Sequence, residues 1–250
     1  MRQTLKRSLP ERFWQSESVH EVPGGWEIRL DDKPLRTPAK ERLVVPAEAF
    51  ARAIAEEWAA QTRHVDPETM PLTRMANSAI DKVAPNRAAV VEMLAEYGAN
   101  DLLCYRAEHP QALHAREAAA WDPWLDWART RLGADLVTTR GIVPVDQSPE
   151  ALAALRAPFE GLDPFALAAF HDLVTISGSL VLALAVLAGE IDADALWRLS
   201  RIDEDWQENQ WGIDAEAAAG AARKEAALRA AVRALELLGR RGGGGSARPV

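Results

Sequence analysis

The chain has 250 residues, 48% of them hydrophobic and 26% charged, a balance that supports a buried core and excludes a chain too polar to form one. Its formal charge of -8 excludes the basic footprint that nonspecific nucleic-acid binding requires. One cysteine, Cys104, leaves no partner for a disulfide within these residues and fits a reducing compartment.

The start, residues 1–10, is basic but has no apolar run behind it, so no secretory signal is expected; a short remnant of an organelle-targeting segment stays open. Val19 to Val22 and Trp26 to Leu30 read as strands around a Pro23-Gly24-Gly25 turn, the second alternating apolar and charged residues as a half-buried strand does. Leu43 to Val45 offers a further strand. Phe50, Ile54 and Trp58 then fall on one helical face, which predicts a helix packed on the small sheet.

Beyond Pro71 the pattern is helical. Helices are expected over 88–97 and 111–132, the second broken at Pro123 with Asp122 as cap. Leu136 to Thr139 suggests a brief strand. Asp163-Pro164 predicts a capped helix start, leading to Ser177-Gly178-Ser179, where small residues permit close contact or a kink. The longest apolar run, residues 180–188, is far short of the roughly 20 a spanning helix needs, so it reads as a core helix and no membrane insertion is expected. Helices over 192–211 and 216–238 follow, the last ended by Gly239, and residues 242–246 read as a flexible tail. The fold class is therefore α+β: a small N-terminal α/β domain over 1–70, a larger helical domain over 71–239, and a tail over 240–250.

Catalytic machinery is hard to find. There is no P-loop and no G-x-S-x-G elbow, and no histidine pair has metal-ligand spacing. Cys104 lies among apolar neighbours and reads as a buried small hydrophobe. His171-Asp172 is the best acid-base candidate, but adjacent helical residues point about 100° apart, so a structural or interfacial histidine is favoured. Asp203, Glu204 and Asp205 could ligate a hard cation, yet no calcium-loop pattern follows, and a solvated acidic face is the simpler reading. No cofactor, metal or catalytic residue is expected.

The most informative stretch is 199–212, which places Trp206 and Trp211 among Asp203, Glu204, Asp205 and Glu208 just before Gly212. Aromatic anchors with charged neighbours suit a protein-binding surface. Trp206 shares a helical stripe with Leu196 and Leu199, which predicts burial. For Trp211 both core and surface stay open, and the glycine suggests a chain reversal whose mouth could recognise a partner.

Several blocks together bring a family into view. They are Arg12-Phe13-Trp14, Gly24-Gly25-Trp26, Leu30-Asp31, Leu35-Arg36-Thr37-Pro38, Glu57-Trp58, and Met70 to Arg74 with Asn77 to Asp81. Others are Asp101 to Arg106, Trp121-Asp122-Pro123, Ser177-Gly178-Ser179 and residues 203–212. Over roughly residues 12–238 the chain resembles the assembly chaperones that bind the α subunit of the ATP synthase catalytic head. The resemblance implies a non-enzymatic protein, monomeric when free, that shields the β-facing surface of unassembled α subunit until β displaces it. It also implies an α/β domain followed by a helical one. The closing segment is similar to the family's Trp-Gln-x-x-x-Trp-Gly, with Glu208 as the one acid in its variable middle. The partner-binding residues so implied are Asp203, Glu204, Trp206, Gln207, Glu208, Trp211 and Gly212, and which acid meets the partner stays open. The resemblance implies the mitochondrial matrix if the source is eukaryotic, whereas a start without a clear long presequence and a composition rich in alanine, arginine and aspartate favour a bacterial cytoplasmic member. The alternative is a small-molecule enzyme using His171, Asp172 and the acids Asp203 to Asp205 in a pocket between helices.

Overall fold

β1 (Glu17–Val22) and β2 (Gly25–Leu30) pair antiparallel, from Glu17 opposite Leu30 to Val22 opposite Gly25, in a computed structural model that describes residues 9–240 apart from Ile142 and Ile213. Residues 1–8 of the basic start and the glycine-rich tail from residue 241 lie outside the described residues. Glycine is required at the turn: Gly25 has φ 144°, and a Cβ there would collide with the Val45 carbonyl. β2 also pairs with β3 (Lys33–Pro34) and β4 (Val44–Val45), making it the centre of a four-stranded sheet. Its apolar residues Ile28 and Leu30 are buried as the alternation predicts, but Glu27 is buried too. Arg29 at 3.0 Å and Arg42 at 2.8 Å hold that carboxylate. Burial works against its ionisation, but the two arginines outweigh burial and keep it below the usual carboxylate range.

α1 (Glu48–Ala59) buries Phe50 and Ile54 and packs on β1 and β2; Trp58, on the same face, is half-buried with its ring edge-on to Trp14 at 5.1 Å. Glu57 then reaches α2 (Pro71–Ser78). Its carboxylate accepts the amides of Leu72 and Thr73 at 2.7 and 2.8 Å and the Thr73 hydroxyl at 2.7 Å, satisfying a helix start that has no cap of its own. That tie groups α2 with α1, and the first compact unit runs to Pro85, past the boundary expected at residue 70.

The second unit, from Asn86, holds α3 (Arg87–Glu96), β5 (Tyr105–Arg106), α4 (Gln111–Trp127) and β6 (Thr139–Arg140). α5 (Pro149–Glu160), α6 (Pro164–Ser177), α7 (Leu180–Leu187), α8 (Ala193–Ser200), α9 (Ile202–Trp211) and α10 (Ala215–Leu237) complete it. Asp163 caps α6 as expected, accepting the amides of Phe165 and Ala166 at 3.0 and 3.1 Å. The brief strand is shifted to β6, which pairs parallel with β5. Pro123 does not break α4: it and Ala119, whose carbonyl loses its partner, lie on the exposed side, and Asp122 accepts Arg106 instead of capping. Of the three tryptophans on α4, only Trp121 is buried.

α7 is the core helix. Leu180 through Val186 are all buried, and α4, α5, α6 and α8 pack around it. Ser177-Gly178-Ser179 is a corner rather than a kink: Gly178 adopts φ 71° to end α6, and Ser179 caps α7. Asp101, fully buried, fixes that corner. Its Oδ1 accepts Leu103 N–H at 3.0 Å and Ser179 Oγ–H at 2.8 Å, and its Oδ2 accepts Val181 N–H at 2.9 Å. Burial pushes its carboxyl up, and these donors pull it back.

Asp101→Ala leaves those donors buried without an acceptor, at roughly 1–3 kcal/mol for each, so a loss of about 3 kcal/mol or more is expected. Ser179→Ala removes one cap and one of the donors to Asp101 while leaving the two backbone amides their acceptor, and should cost about 2 kcal/mol. Urea unfolding of both variants reads the difference; equal small losses would show that the clamp is not needed.

Candidate functional site

The site residues expected from sequence fall on α9, which is a separate helix. The continuous helix expected over 192–211 is interrupted at Arg201, whose φ of -118° and ψ of 18° leave the helical region. The cause lies far away in sequence. The buried Trp121 donates its indole N–H to the Leu199 carbonyl at 2.8 Å, claiming the acceptor that a continuous helix would offer to Asp203. α9 then starts afresh, with the Asp205 amide bonded to the Arg201 carbonyl at 2.8 Å.

The break undoes the stripe that predicted burial of Trp206. Leu196 is buried, but Leu199 and Trp206 are only half-buried, because α8 and α9 no longer share one helical phase. Trp211, whose position the sequence left open, is 81% exposed at the end of α9. Gly212, at φ 90°, ends the helix beside it.

The acids of α9 divide into three environments. Asp205 and Glu208 are held by Arg201, at 3.4 and 2.7 Å, and that guanidinium lies over the Trp197 ring at 5.1 Å. Glu204 is exposed and unpaired among the described residues. Asp203 turns inward to Glu117 of α4, a residue 1% exposed whose Oε2 accepts Ala107 N–H at 2.7 Å. Burial first, and then Asp203, push Glu117 up to about 7. Gln207 is exposed and, with Asp203, Glu117, Tyr105 and Arg106, lines a cavity of about 300 Å³. Glu117 and Arg201 were not found from sequence. Glu117 sits in an alanine-rich helix like any solvated glutamate, whereas the spacing of Arg201 and Asp205 was a readable i, i+4 pair.

The residues of the enzymatic alternative do not converge. His171 Nδ1 and Asp172 Oδ1 do meet, at 3.1 Å, despite being adjacent on α6, but both side chains are part-exposed and neither lines the Asp203 cavity. Among the described residues no group of three or more His, Cys, Asp or Glu side chains could hold a metal ion. Cys104 is buried and its thiol is pushed up to about 12, chiefly by burial, so it is no nucleophile. No helix among the described residues is long and apolar enough to cross a membrane.

Fold and site together define an α+β protein whose helical unit ends one acidic helix in an exposed tryptophan, with no catalytic cluster assembled beside it among the described residues. The ATP12 chaperone protein family matches residues 11–129. The crystal structure of Atp12 from Paracoccus denitrificans is 54% identical, covers 91% of this chain and 98% of its own, and superposes with a TM-score of 0.88. A structure of an Asp-to-Lys mutant of the same protein is 53% identical over 91% of this chain and 97% of its own, at 0.87. The mitochondrial protein atp12 of Schizosaccharomyces pombe is 24% identical over 213 residues, 80% of this chain and 73% of its own. The chain belongs to the ATP12 chaperone family.

Burial separates the two tryptophans. A fully buried aromatic truncation costs about 3–5 kcal/mol, so Trp206→Ala, half-buried, should cost about 1–2 kcal/mol. Trp211→Ala should change stability by less than about 0.5 kcal/mol. Thermal melts of the two single variants check both values, and a large loss from Trp211→Ala would place that ring in the core.

Proposed function

We propose that this protein is an assembly chaperone of the F-type ATP synthase. It binds the unassembled α subunit of the catalytic head and shields the surface that later meets β, until β displaces it. The carrying observation is Trp211, an aromatic 81% exposed at the end of a helix whose remaining face is acidic and amide-bearing. A large exposed aromatic beside Gln207 and Glu204 is the composition of an interface anchor and its polar rim. Membership of the ATP12 chaperone family supports the reading, as does the resemblance of the blocks along the chain.

A subunit made before its neighbour exposes apolar surface and is prone to aggregate. A chaperone that covers this surface needs only to bind less favourably than the final neighbour, so exchange runs forward without catalysis or nucleotide hydrolysis. The protein acts as a monomer, in the bacterial cytoplasm or, in a eukaryote, in the mitochondrial matrix.

At stoichiometric amounts and without nucleotide, the protein should suppress aggregation of isolated α subunit, followed by light scattering, and added β should release it. Equal aggregation with and without the protein would sink the proposal. In the same system Trp211→Ala should weaken α-subunit binding by about 2 kcal/mol or more, as loss of a central anchor does.

The acids should respond unequally to charge reversal. Glu204→Lys should slow association and change its salt dependence while leaving the fold intact. Glu208→Lys should also lower stability, because it places a second cation against Arg201. Stopped-flow association across a salt series distinguishes them; a salt response unchanged by Glu204→Lys would show that this acid faces only solvent.

A further inference from the structure

Glu117 and Asp203 line one cavity and, when ionised, both can only accept hydrogen bonds. Glu117 is 1% exposed, and one of its oxygens is already taken by Ala107 N–H at 2.7 Å. Asp203 Oδ1 is buried and has no donor among the described residues. Two facing carboxylates in that position repel and stay desolvated, unless a proton lies between them. The pair also joins two elements: Glu117 is in the middle of α4, and Asp203 is in the first turn of α9, which packs on α4. We propose that Glu117 carries a proton and donates it to Asp203, and that this proton latches the start of α9 onto α4, so that α9 with its terminal Trp211 loosens when the proton is lost.

The surroundings favour this assignment. α7, which packs on α4, carries only apolar side chains from Leu180 to Leu187. The 102–104 turn presents Cys104, a neutral thiol, with Asp101 behind it bonded to Ser179 and to backbone amides. β5 presents Tyr105, hydrogen-bonded to Asn100, and Arg106. Arg106 opposes the proton, but its guanidinium is committed to Asp122 at 2.7 Å and to the Leu103 carbonyl at 2.9 Å, over the Trp121 ring. On α4 itself, His114 is bonded to Arg140 of β6 at 3.1 Å, and Asp122 to Arg106. The turns after α4 carry Arg129, paired with Asp126, and Arg131, near Glu190. On α9, Asp205 and Glu208 belong to Arg201, and Glu204 is exposed.

The direction with pH follows from the raised acid. Glu117 holds its proton up to about 7, whereas in an unfolded chain it would lose it near the ordinary value of 4.5. Between these values the folded state binds the extra proton, so the latch is intact at the acid end of the window and weakens as pH rises through about 7. Because the cost falls on the α4–α9 contact, opening should be local to α9. The latch is a property of the free chain and stands whether or not the partner is the α subunit.

Amide hydrogen exchange on the full chain at about pH 6 and about pH 8.5, corrected for intrinsic rates, tests it. Protection of α9 should fall by about tenfold at the higher pH relative to α6 and α7, the factor set by the one pH unit between 6 and about 7. In Glu117→Gln the side-chain amide can accept from Ala107 and donate to Asp203 at any pH, so α9 protection should stay flat. Asp203→Asn, on the more exposed partner, should do the same and serves if Glu117→Gln fails to fold. Flat protection in the wild type, an equal fall in the wild type and both variants, or a parallel fall in α6 and α7 would each overturn the proposal.

Discussion

The helical unit depends on one buried carboxylate. α7 is apolar on every side and must sit in the middle of its neighbours, but its first amides then lie where no water reaches them. Asp101 resolves that conflict. It comes from a turn 78 residues earlier in the chain than Ser179, and gives an acceptor to the Ser179 hydroxyl, to Val181 and to its own Leu103. The Leu102 amide closes the same knot by donating to the Gly178 carbonyl at 3.0 Å. A buried acid is costly by itself, and here its donors turn that cost into a fixed position for the core helix.

From that knot a continuous set of contacts leads to the candidate site. The turn after Asp101 delivers Arg106, which is 4% exposed and bridges the Leu103 carbonyl to Asp122 of α4. Arg106 also lies over Trp121 at 5.3 Å, helping to seat the indole whose N–H takes the Leu199 carbonyl. That one hydrogen bond falls where α8 and α9 part, and α9 takes its own helical phase from there. Asp203 thereby meets Glu117, Arg201 gathers Asp205 and Glu208, and Trp211 is left in solvent. The exposure of Trp211 is a consequence of how the core is tied, and the helix propensity of its own segment does not explain it.

The same contacts show what was legible in the sequence. Strand alternation, the Asp163 cap and the apolar run of α7 are local signals, and each led to the observed element. The break at Arg201 was invisible because the indole behind it, Trp121, lies 78 residues before the Leu199 carbonyl it takes. Burial of Glu27 and Glu117 was invisible for a related reason: a charged residue reads as solvated until its distant partners, Arg42 or Asp203, are known. The blocks that carry the family resemblance now have a physical content. Glu57 with Leu72 and Thr73, and Asp101 to Arg106 with Trp121-Asp122 and Ser177 to Ser179, are the ties within each unit. Most of the resemblance therefore reports how each unit is tied internally. Only the final block, 203–212, lies on the surface proposed to meet a partner.

That surface is held unusually. A helix with no continuous apolar stripe gains little from burial, and α9 buries only Ile202. It is retained instead by polar contacts near its start, at Asp203 and around Arg201, while its far end carries the anchor. Such an element belongs to the low-stability part of a fold, where local opening is cheap compared with unfolding the core. The arrangement also limits what its acids can offer a partner. Asp205 and Glu208 already have a cation in Arg201, so engaging them elsewhere means first giving up that pair. Asp203 is occupied with Glu117. Glu204 and the ring of Trp211 can be offered without breaking an ion pair among the described residues, and for that reason the proposed recognition rests on these two side chains more than on the acidity of the segment as a whole.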